Sequence, residues 1–170
     1  MVTGLFRDRD SAERAYQAAT ARGYDASDVN LMMSDETRNR HFANTSGNGQ
    51  QTELGNKAAE GAGVGGAVGG TLGAIAAAIA AVGTSVALPG LGIVIAGPVA
   101  AALAGAGAGA ATGGVLGALI GWGIPEERVK HYESGIKEGG ILMGVQARSD
   151  EDARTLGEEW KLHRGEEVYW

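Results

Sequence analysis

The middle of the chain, residues 61–125, reads GAGVGGAVGGTLGAIAAAIAAVGTSVALPGLGIVIAGPVAAALAGAGAGAATGGVLGALIGWGIP. This stretch contains no Asp, Glu, Lys, Arg or His, although the chain of 170 residues carries 14 Lys and Arg and 20 Asp and Glu. It also holds 19 of the 30 glycines. Two charged flanks therefore enclose one long uncharged block, called the central block below.

Small residues recur at every fourth position of the central block. The two series are Gly61, Gly65, Gly69, Gly73, Ala77 and Ala81, and then Gly97, Ala101, Gly105, Gly109, Gly113, Gly117 and Gly121. A spacing of four places residues on one side of an α-helix, so we expect helices at residues 61–83 and 97–123. At about 1.5 Å per residue, either helix is long enough to cross a hydrocarbon layer of about 30 Å.

Residues 84–98, between these two helices, contain signals for a reversal of the chain. Pro89-Gly90 is typical of a turn, and Pro98 suits the first turn of a new helix. We therefore expect an antiparallel helical hairpin with both flanks at the same end. Each interior glycine costs a helix about 1 kcal/mol relative to alanine, and close packing at small-residue seams offsets such a cost. The two series are thus candidate helix-packing seams.

The first flank has the pattern strand–helix–strand. Val2–Arg7 and Asp28–Met33 are short and apolar enough for strands. Between them, Asp10 or Ser11 is suited to cap a helix, and Gly23 is suited to end it.

The second flank has a similar pattern after a helix that Gly139 stops. Ile141–Gln146 predicts a strand, Ser149 and Asp152 form a capping-box pattern before another helix, and Val168–Trp170 predicts a final strand. Together the flanks predict an α+β fold, specifically a ferredoxin-like α/β plait (βαβ + αβαβ) interrupted by a long glycine-zipper helical hairpin.

This organisation gives four segments. Residues 1–36 form the first half of the plait, residues 37–60 a polar connector, residues 61–124 the glycine-zipper hairpin, and residues 125–170 the second half of the plait. Neither half contains many large apolar residues, so we expect the two flanks to fold together around a shared core.

The chain resembles the bacterial heat- or low-temperature-induced general stress proteins. The resemblance rests on VTGLFRDRDSAERAYQAATARGYDASDVNLM at residues 2–32, PGLGIVIAGPVAAAL at residues 89–103, and GIPEERVKHYESGIKEGGILMGV at residues 123–145. It implies a role in stress tolerance, often together with a membrane location. It implies no catalytic residues.

The residues themselves give little sign of catalytic or metal chemistry. His41, His131 and His163 lie in three different segments, and the chain has no Cys, so the sequence predicts no metal site. GAGVGGAVGG contains a Gly-x-Gly-x-x-Gly match, but it follows a polar connector and no acidic residue comes until Glu126, so we reject a dinucleotide site. We expect a protein that is not an enzyme and has no cofactor.

The predicted partner is the protein itself. A net charge of −6 argues against nucleic-acid binding. In the favoured hypothesis a cytoplasmic head carries a hairpin that self-associates in or on the inner membrane, with the lipid bilayer as a partner and Trp122 as an interface aromatic. In the alternative, hairpins bundle in a soluble cytoplasmic homo-oligomer, where Trp122 covers the shared core.

Two other interpretations stay open at this point. The central block could be a flexible low-complexity segment, which explains its composition but not the register of its small residues. An interpretation of another class is a ligand-binding or enzymatic plait domain. Met1–Asp10 already contains four charged residues and no apolar run follows, so we expect no signal peptide.

Overall fold

The computed structural model describes residues 1–42, 75, 85–88, 92–98, 100, 117, 119–120 and 122–170. The described strands and helices follow one another as β1 Val2–Phe6, α1 Arg9–Ala21, β2 Val29–Ser34, α2 Asp35–Phe42, β3 Ser85–Leu88, β4 Ile93–Ala96, α3 Glu126–Lys137, β5 Ile141–Val145, α4 Asp150–Leu162 and β6 Glu166–Tyr169. The mixed α and β content with an antiparallel sheet confirms the α+β class.

The six described strands form one antiparallel sheet in the order β3-β4-β2-β5-β1-β6. Strand β5, from the second flank, lies between β1 and β2 from the first flank. Its pairing with β1 runs without interruption from Val2 opposite Val145 to Phe6 opposite Ile141. The first flank therefore completes its sheet only with a strand from the second, as expected from the small apolar content of each.

Both faces of the sheet are buried. On one face Trp160 of α4 is fully buried, its Nε1 donates to the carbonyl oxygen of Ala15 in α1 at 3.0 Å, and its ring meets Phe6 edge-on with centroids 5.6 Å apart. On the opposite face α3 contributes Val129, Tyr132 and Ile136 to a second apolar cluster with Leu5, Met32 and Leu142. A strand that is covered on both faces has a nearly continuous apolar sequence rather than an alternating one, and nearly every residue of β1, β2 and β5 is buried.

Helix α3 packs closely on β1 because Gly135 has no side chain. A Cβ built at Gly135 would lie only 2.2 Å from Cδ2 of Leu5. The leucine side chain fills the space that any larger residue at position 135 would need, so this glycine sets the distance between helix and sheet.

The N-terminal caps of α1 and α4 differ in how well the sequence predicted them. Helix α1 is capped by Asp8, whose carboxylate accepts from the backbone N–H of Ser11 at 2.8 Å, so the expectation of a cap at Asp10 or Ser11 was wrong. Helix α4 is capped by Ser149, which accepts from the backbone N–H of Asp152 at 3.1 Å, as expected. The carboxylate of Asp152 contacts Arg22 and Tyr24 instead of completing a capping box.

The predicted polar connector is helical at its start. Residues 37–42, which we assigned to the connector, belong to α2. Ser34 accepts from the backbone N–H of Thr37 at 3.0 Å, and the Thr37 hydroxyl donates to the carbonyl oxygen of Gly139 at 3.1 Å. Phe42 is buried at the end of the helix. Only Thr37 and Phe42 of this helix are buried, so the sequence lacks the apolar stripe that normally predicts a helix.

The segment predicted as a turn between two helices contains two strands. Ser85–Leu88 and Ile93–Ala96 pair in continuous register and extend the sheet beyond β2. The expected turn at Pro89-Gly90 lies outside the described residues. Residues 85–88 and 93–96 are therefore part of the sheet, where the sequence predicted only a turn.

Candidate functional site

The described residues of the central block contact both faces of the sheet. Ile75 is fully buried in the apolar cluster beneath α1 and α4. Ala100 and Leu119, also fully buried, belong to the cluster on the opposite face with α3. Strands β3 and β4 lie between these positions in the chain. The central block is thus anchored to the head on each side of the sheet, where "head" denotes β1, β2, β5, β6 and their helices.

Glu13 of α1 makes a polar contact with the central block. Its Oε2 accepts from the backbone N–H of Ile75 at 3.0 Å, and its Oε1 lies 3.6 Å from the Arg9 guanidinium. The Glu13 side chain is 12% exposed, and Oε1 has no hydrogen-bond partner among the described residues. A largely buried carboxylate that accepts a backbone N–H fixes the position of Ile75 beside α1.

Trp122, the predicted interface aromatic, lies in the protein interior. Its side chain is 5% exposed and belongs to the cluster with α3. It packs over Gly144 of β5, where a built Cβ would lie 2.9 Å from Cζ3 of the indole. Trp122 thus covers part of this chain's own core, whereas the predictions placed it at a membrane surface or over a core shared between copies; both of these stay predictions.

The helical residues just before Trp122 have two unlike sides. Leu119 is fully buried against the head, whereas Ile120 is 52% exposed. A Cβ built at Gly117 meets no described atom within 4 Å. Gly117 and Ile120 are three residues apart, so they lie on one side of the helix. We call this pair the outward face.

Gly97 does not serve as a helix-packing seam. Its φ of +106° is left-handed, and a Cβ there would lie 2.4 Å from the carbonyl oxygen of Val29 and 2.9 Å from Cα of Asn30. Gly97 directly follows the last residue of β4, where β4 pairs with β2. Its place in the four-residue series is therefore a coincidence of spacing, and the prediction of a seam role was wrong at this position.

Most other candidate seam residues lie outside the described residues. They are Gly61, Gly65, Gly69, Gly73, Ala77, Ala81, Ala101, Gly105, Gly109, Gly113 and Gly121. Their role in a helical seam stays a prediction. Among the residues that the structure does describe, no helix is both long and apolar enough to cross a bilayer.

A group of polar side chains joins the two flanks at one end of the head. Arg22 lies 2.9 Å from Glu159 and 3.2 Å from Asp152. The Tyr24 hydroxyl donates to the Asp152 carboxylate and accepts from the backbone N–H of Arg148 at 3.0 Å. The hydrogen bonds to Glu159 and Asp152 raise the pKa of Arg22, and burial raises the pKa of Tyr24. We call Arg22, Tyr24, Asp152 and Glu159 the Arg22 clasp.

Replacing Arg22 by alanine is expected to lower the free energy of unfolding by about 1–2 kcal/mol, because two part-buried carboxylates lose a charged partner. Arg40→Ala is the matched control: its ion pair with Glu36 joins side chains that are 57% and 80% exposed, and its loss should cost less than about 0.5 kcal/mol. Urea unfolding followed by circular dichroism gives both values. Equal losses in the two variants would contradict a structural role for the clasp.

Two buried tyrosines make the fold sensitive to alkali. The Tyr132 hydroxyl donates to the carbonyl oxygen of Glu167 at 2.6 Å and lies 2.9 Å from Oγ1 of Thr3. Burial raises the pKa of Tyr132 and that of Tyr16 to about 12, from an ordinary value of 10.0. The unfolded chain releases these protons at lower pH than the folded chain does, so the associated stability is complete below pH 10 and is lost as pH rises towards 12.

We therefore expect the free energy of unfolding to fall by about 2–3 kcal/mol per buried tyrosine across this interval. Urea titrations at about pH 9 and about pH 11.5 measure the change, and Tyr132→Phe should make it smaller by the share that Tyr132 contributes. A stability that does not change over this interval in the wild type would contradict the assignment.

The described surface offers little for catalysis. No group of three or more His, Asp or Glu in the described ranges is arranged to hold a metal ion. One surface cleft of about 590 Å³ is lined by Asp150, Glu151, Ala153, Arg154 and Trp170. It brings together two carboxylates that are neighbours in sequence but no nucleophile with a base. His41, His131 and His163 lie at the end of α2, on α3 and just after α4.

One signal in the sequence does favour a strand in this region. Ile93–Ala96 reads Ile-Val-Ile-Ala and follows Gly92, and a β-branched run after a turn residue is typical of a strand. The stronger four-residue periodicity around it led to the prediction of a helical hairpin there.

Comparison of the chain with protein-family models, with curated proteins and with solved structures found no match in any of the three.

Proposed function

We propose that this protein is a non-enzymatic stress protein that assembles with copies of itself through the outward face of its central block. The role in stress tolerance is the one implied by the resemblance at residues 2–32, 89–103 and 123–145. The self-assembly is supported by the arrangement around Leu119, which holds one side of a helical turn against the head while Gly117 and Ile120 face away from it.

The outward face carries the proposal because it has the chemistry of a helix contact. A glycine lets a second backbone approach closely, and the half-exposed Ile120 supplies apolar area beside it. Gly113 and Gly121 belong to the same four-residue series in the sequence. A second copy presents the same surface, so two such faces complement each other about a two-fold axis.

The geometry favours a soluble assembly over a membrane-inserted one. Ile75, Leu119 and Trp122 are directed into the protein's own core, where they are not available to lipid. In this proposal the head supplies the apolar surroundings that the membrane hypothesis, favoured from the sequence, assigned to the bilayer.

We also propose a specific topology for the head. A ferredoxin-like plait is supported by the strand order β2-β5-β1-β6 and by the packing of α1 and α4 against the same face of the sheet. In this proposal the described helical positions Ile75 and Leu119 lie on opposite faces of the plait.

The test is the particle mass of Ile120→Glu in detergent-free buffer. A charge on the outward face should repel a second copy, so we expect the mass to fall towards that of one chain. Leu162→Glu is the matched control, since Leu162 is an apolar residue 82% exposed on α4, far from the outward face in sequence. Its mass should equal that of the wild type.

An unchanged mass for Ile120→Glu, or an equal fall in both variants, would refute the outward face as the contact. Assembly that forms only after lipid vesicles are added would favour the membrane-inserted hairpin over the soluble form.

A further inference from the structure

The two edges of the sheet differ in how they are protected. Strand β6 forms one edge and presents the exposed residues Glu166 and Glu167. Its pairing with β1 changes register between Thr3 and Leu5, and Glu167 has a φ of +48°. Charges and irregular backbone are the features that keep an edge strand from pairing with another chain.

Strand β3 forms the other edge and has none of these features. It reads Ser-Val-Ala-Leu, and it pairs with β4 in continuous register from Ser85 opposite Ala96 to Leu88 opposite Ile93. Within the described ranges, β4 is the strand that contacts it. In an antiparallel strand, alternate residues direct their N–H and C=O groups away from the neighbour, so the outer backbone groups of β3 have no strand partner among the described residues.

Charge indicates which partner this edge accepts. The chain carries a net charge of −6, so two copies repel each other over most of their surface. Strand β3 lies inside a stretch with no charged residue, where two copies can approach without that repulsion. An antiparallel strand is also its own complement, because a two-fold axis perpendicular to the sheet brings each edge opposite the same edge of the other copy.

We propose that β3 pairs antiparallel with β3 of a second copy and joins the two sheets into one. The pairing rests on the proposed self-assembly and adds a second contact surface to it, distinct from the outward face. Backbone hydrogen bonds supply the contact, as in other cases where a strand is added to a sheet edge. A particle that uses both surfaces can grow beyond a dimer.

The symmetry makes a sharp prediction about single positions. In a two-fold antiparallel pair, the axis passes between two directly opposite residues. These two residues have the same number, so one position of β3 lies opposite the same position in the second copy. Overlap of most of the strand requires this residue to be Val86 or Ala87. Opposite residues have Cβ atoms about 4.5–5.5 Å apart, and a modest shift brings two cysteines there within disulfide reach.

The test uses single cysteines, because the chain has none of its own. Val86→Cys and Ala87→Cys are each oxidised mildly in the full-length protein, and the control is Glu167→Cys at the protected edge. Thiols held in one complex meet at an effective concentration on the order of millimolar. At about 10 μM protein, one of the two β3 variants should therefore form a disulfide dimer on the order of a hundredfold faster than the control. Equal rates for all three variants would overturn the pairing.

A second measurement needs no substitution. Pairing protects the outward N–H groups of residues 85–88, so their hydrogen exchange should slow as wild-type protein concentration rises. Exchange that is independent of concentration would also overturn the proposal.

The same cysteines distinguish this inference from the proposed function. In a Gly117→Leu background, rapid cross-linking should persist because the edge does not use the outward face. An assembled wild-type protein without rapid cross-linking at either position refutes the edge pairing alone. A wild-type protein that is monomeric at every concentration refutes both proposals.

Discussion

Replacing Gly97 by alanine is expected to lower the free energy of unfolding by about 3–5 kcal/mol, the upper range for one substitution. The added methyl group would lie 2.4 Å from the carbonyl oxygen of Val29 and 2.9 Å from Cα of Asn30. These are backbone atoms of a central strand, which cannot rotate away as a side-chain tip can. The φ of +106° adds strain for any residue with a Cβ.

Gly92→Ala is the matched control for this prediction. Gly92 also has a left-handed φ, of +61°, but a Cβ there meets no described atom within 4 Å. Only the backbone strain remains, so we expect a loss of about 1 kcal/mol. Urea unfolding of the two variants separates steric overlap from strain. Similar losses for both would mean that β4 does not lie against β2 as described.

Gly117→Leu is expected to weaken self-assembly about a hundredfold, since separating two closely packed backbones costs about 2–3 kcal/mol of association free energy. The same change should leave the head folded, and it removes a helix-interior glycine whose cost is about 1 kcal/mol. The variant should therefore be smaller as a particle and no less stable as a chain. Light scattering measures the first effect and thermal unfolding the second.

Gly117→Ala provides the intermediate case. Alanine still permits close helix contact, so its particle mass should stay near that of the wild type while its helix becomes more stable. If Gly117→Leu kept the wild-type mass over a dilution series, the outward face would not be a contact between copies.

Local signals in the sequence were enough for most of the head. The alternation of Val29, Leu31 and Met33 predicted β2, and the Ser149 cap placed the start of α4. Gly23 and Gly139 were expected to end helices, and both have a positive φ just beyond α1 and α3. These features depend on neighbours in sequence, which is why the pattern alone reveals them.

Tertiary contacts decided the parts that the sequence did not predict. Gly97 has the spacing of a helix seam, but its conformation is set by contact with Val29 and Asn30 of β2. Trp122 suited a membrane surface or a core equally well until the position of Gly144 beneath its ring was known. Helix α2 has few buried side chains, so no apolar period marked it. In each case the deciding partner is distant in sequence.

Only part of the outward face could be predicted from the sequence. The four-residue spacing singled out Gly117 before its surroundings were known. The exposure of Ile120 and the burial of Leu119, which give that spacing a direction, come only from the packing of the helix against the head.

The most direct test of the account is the molar mass of the wild-type protein in detergent-free buffer, measured by light scattering over a dilution series. One chain has a mass of 17.2 kDa. We expect a multiple of this value at high concentration that decreases on dilution. A mass of one chain at every concentration would contradict self-assembly, and with it the function proposed for the central block.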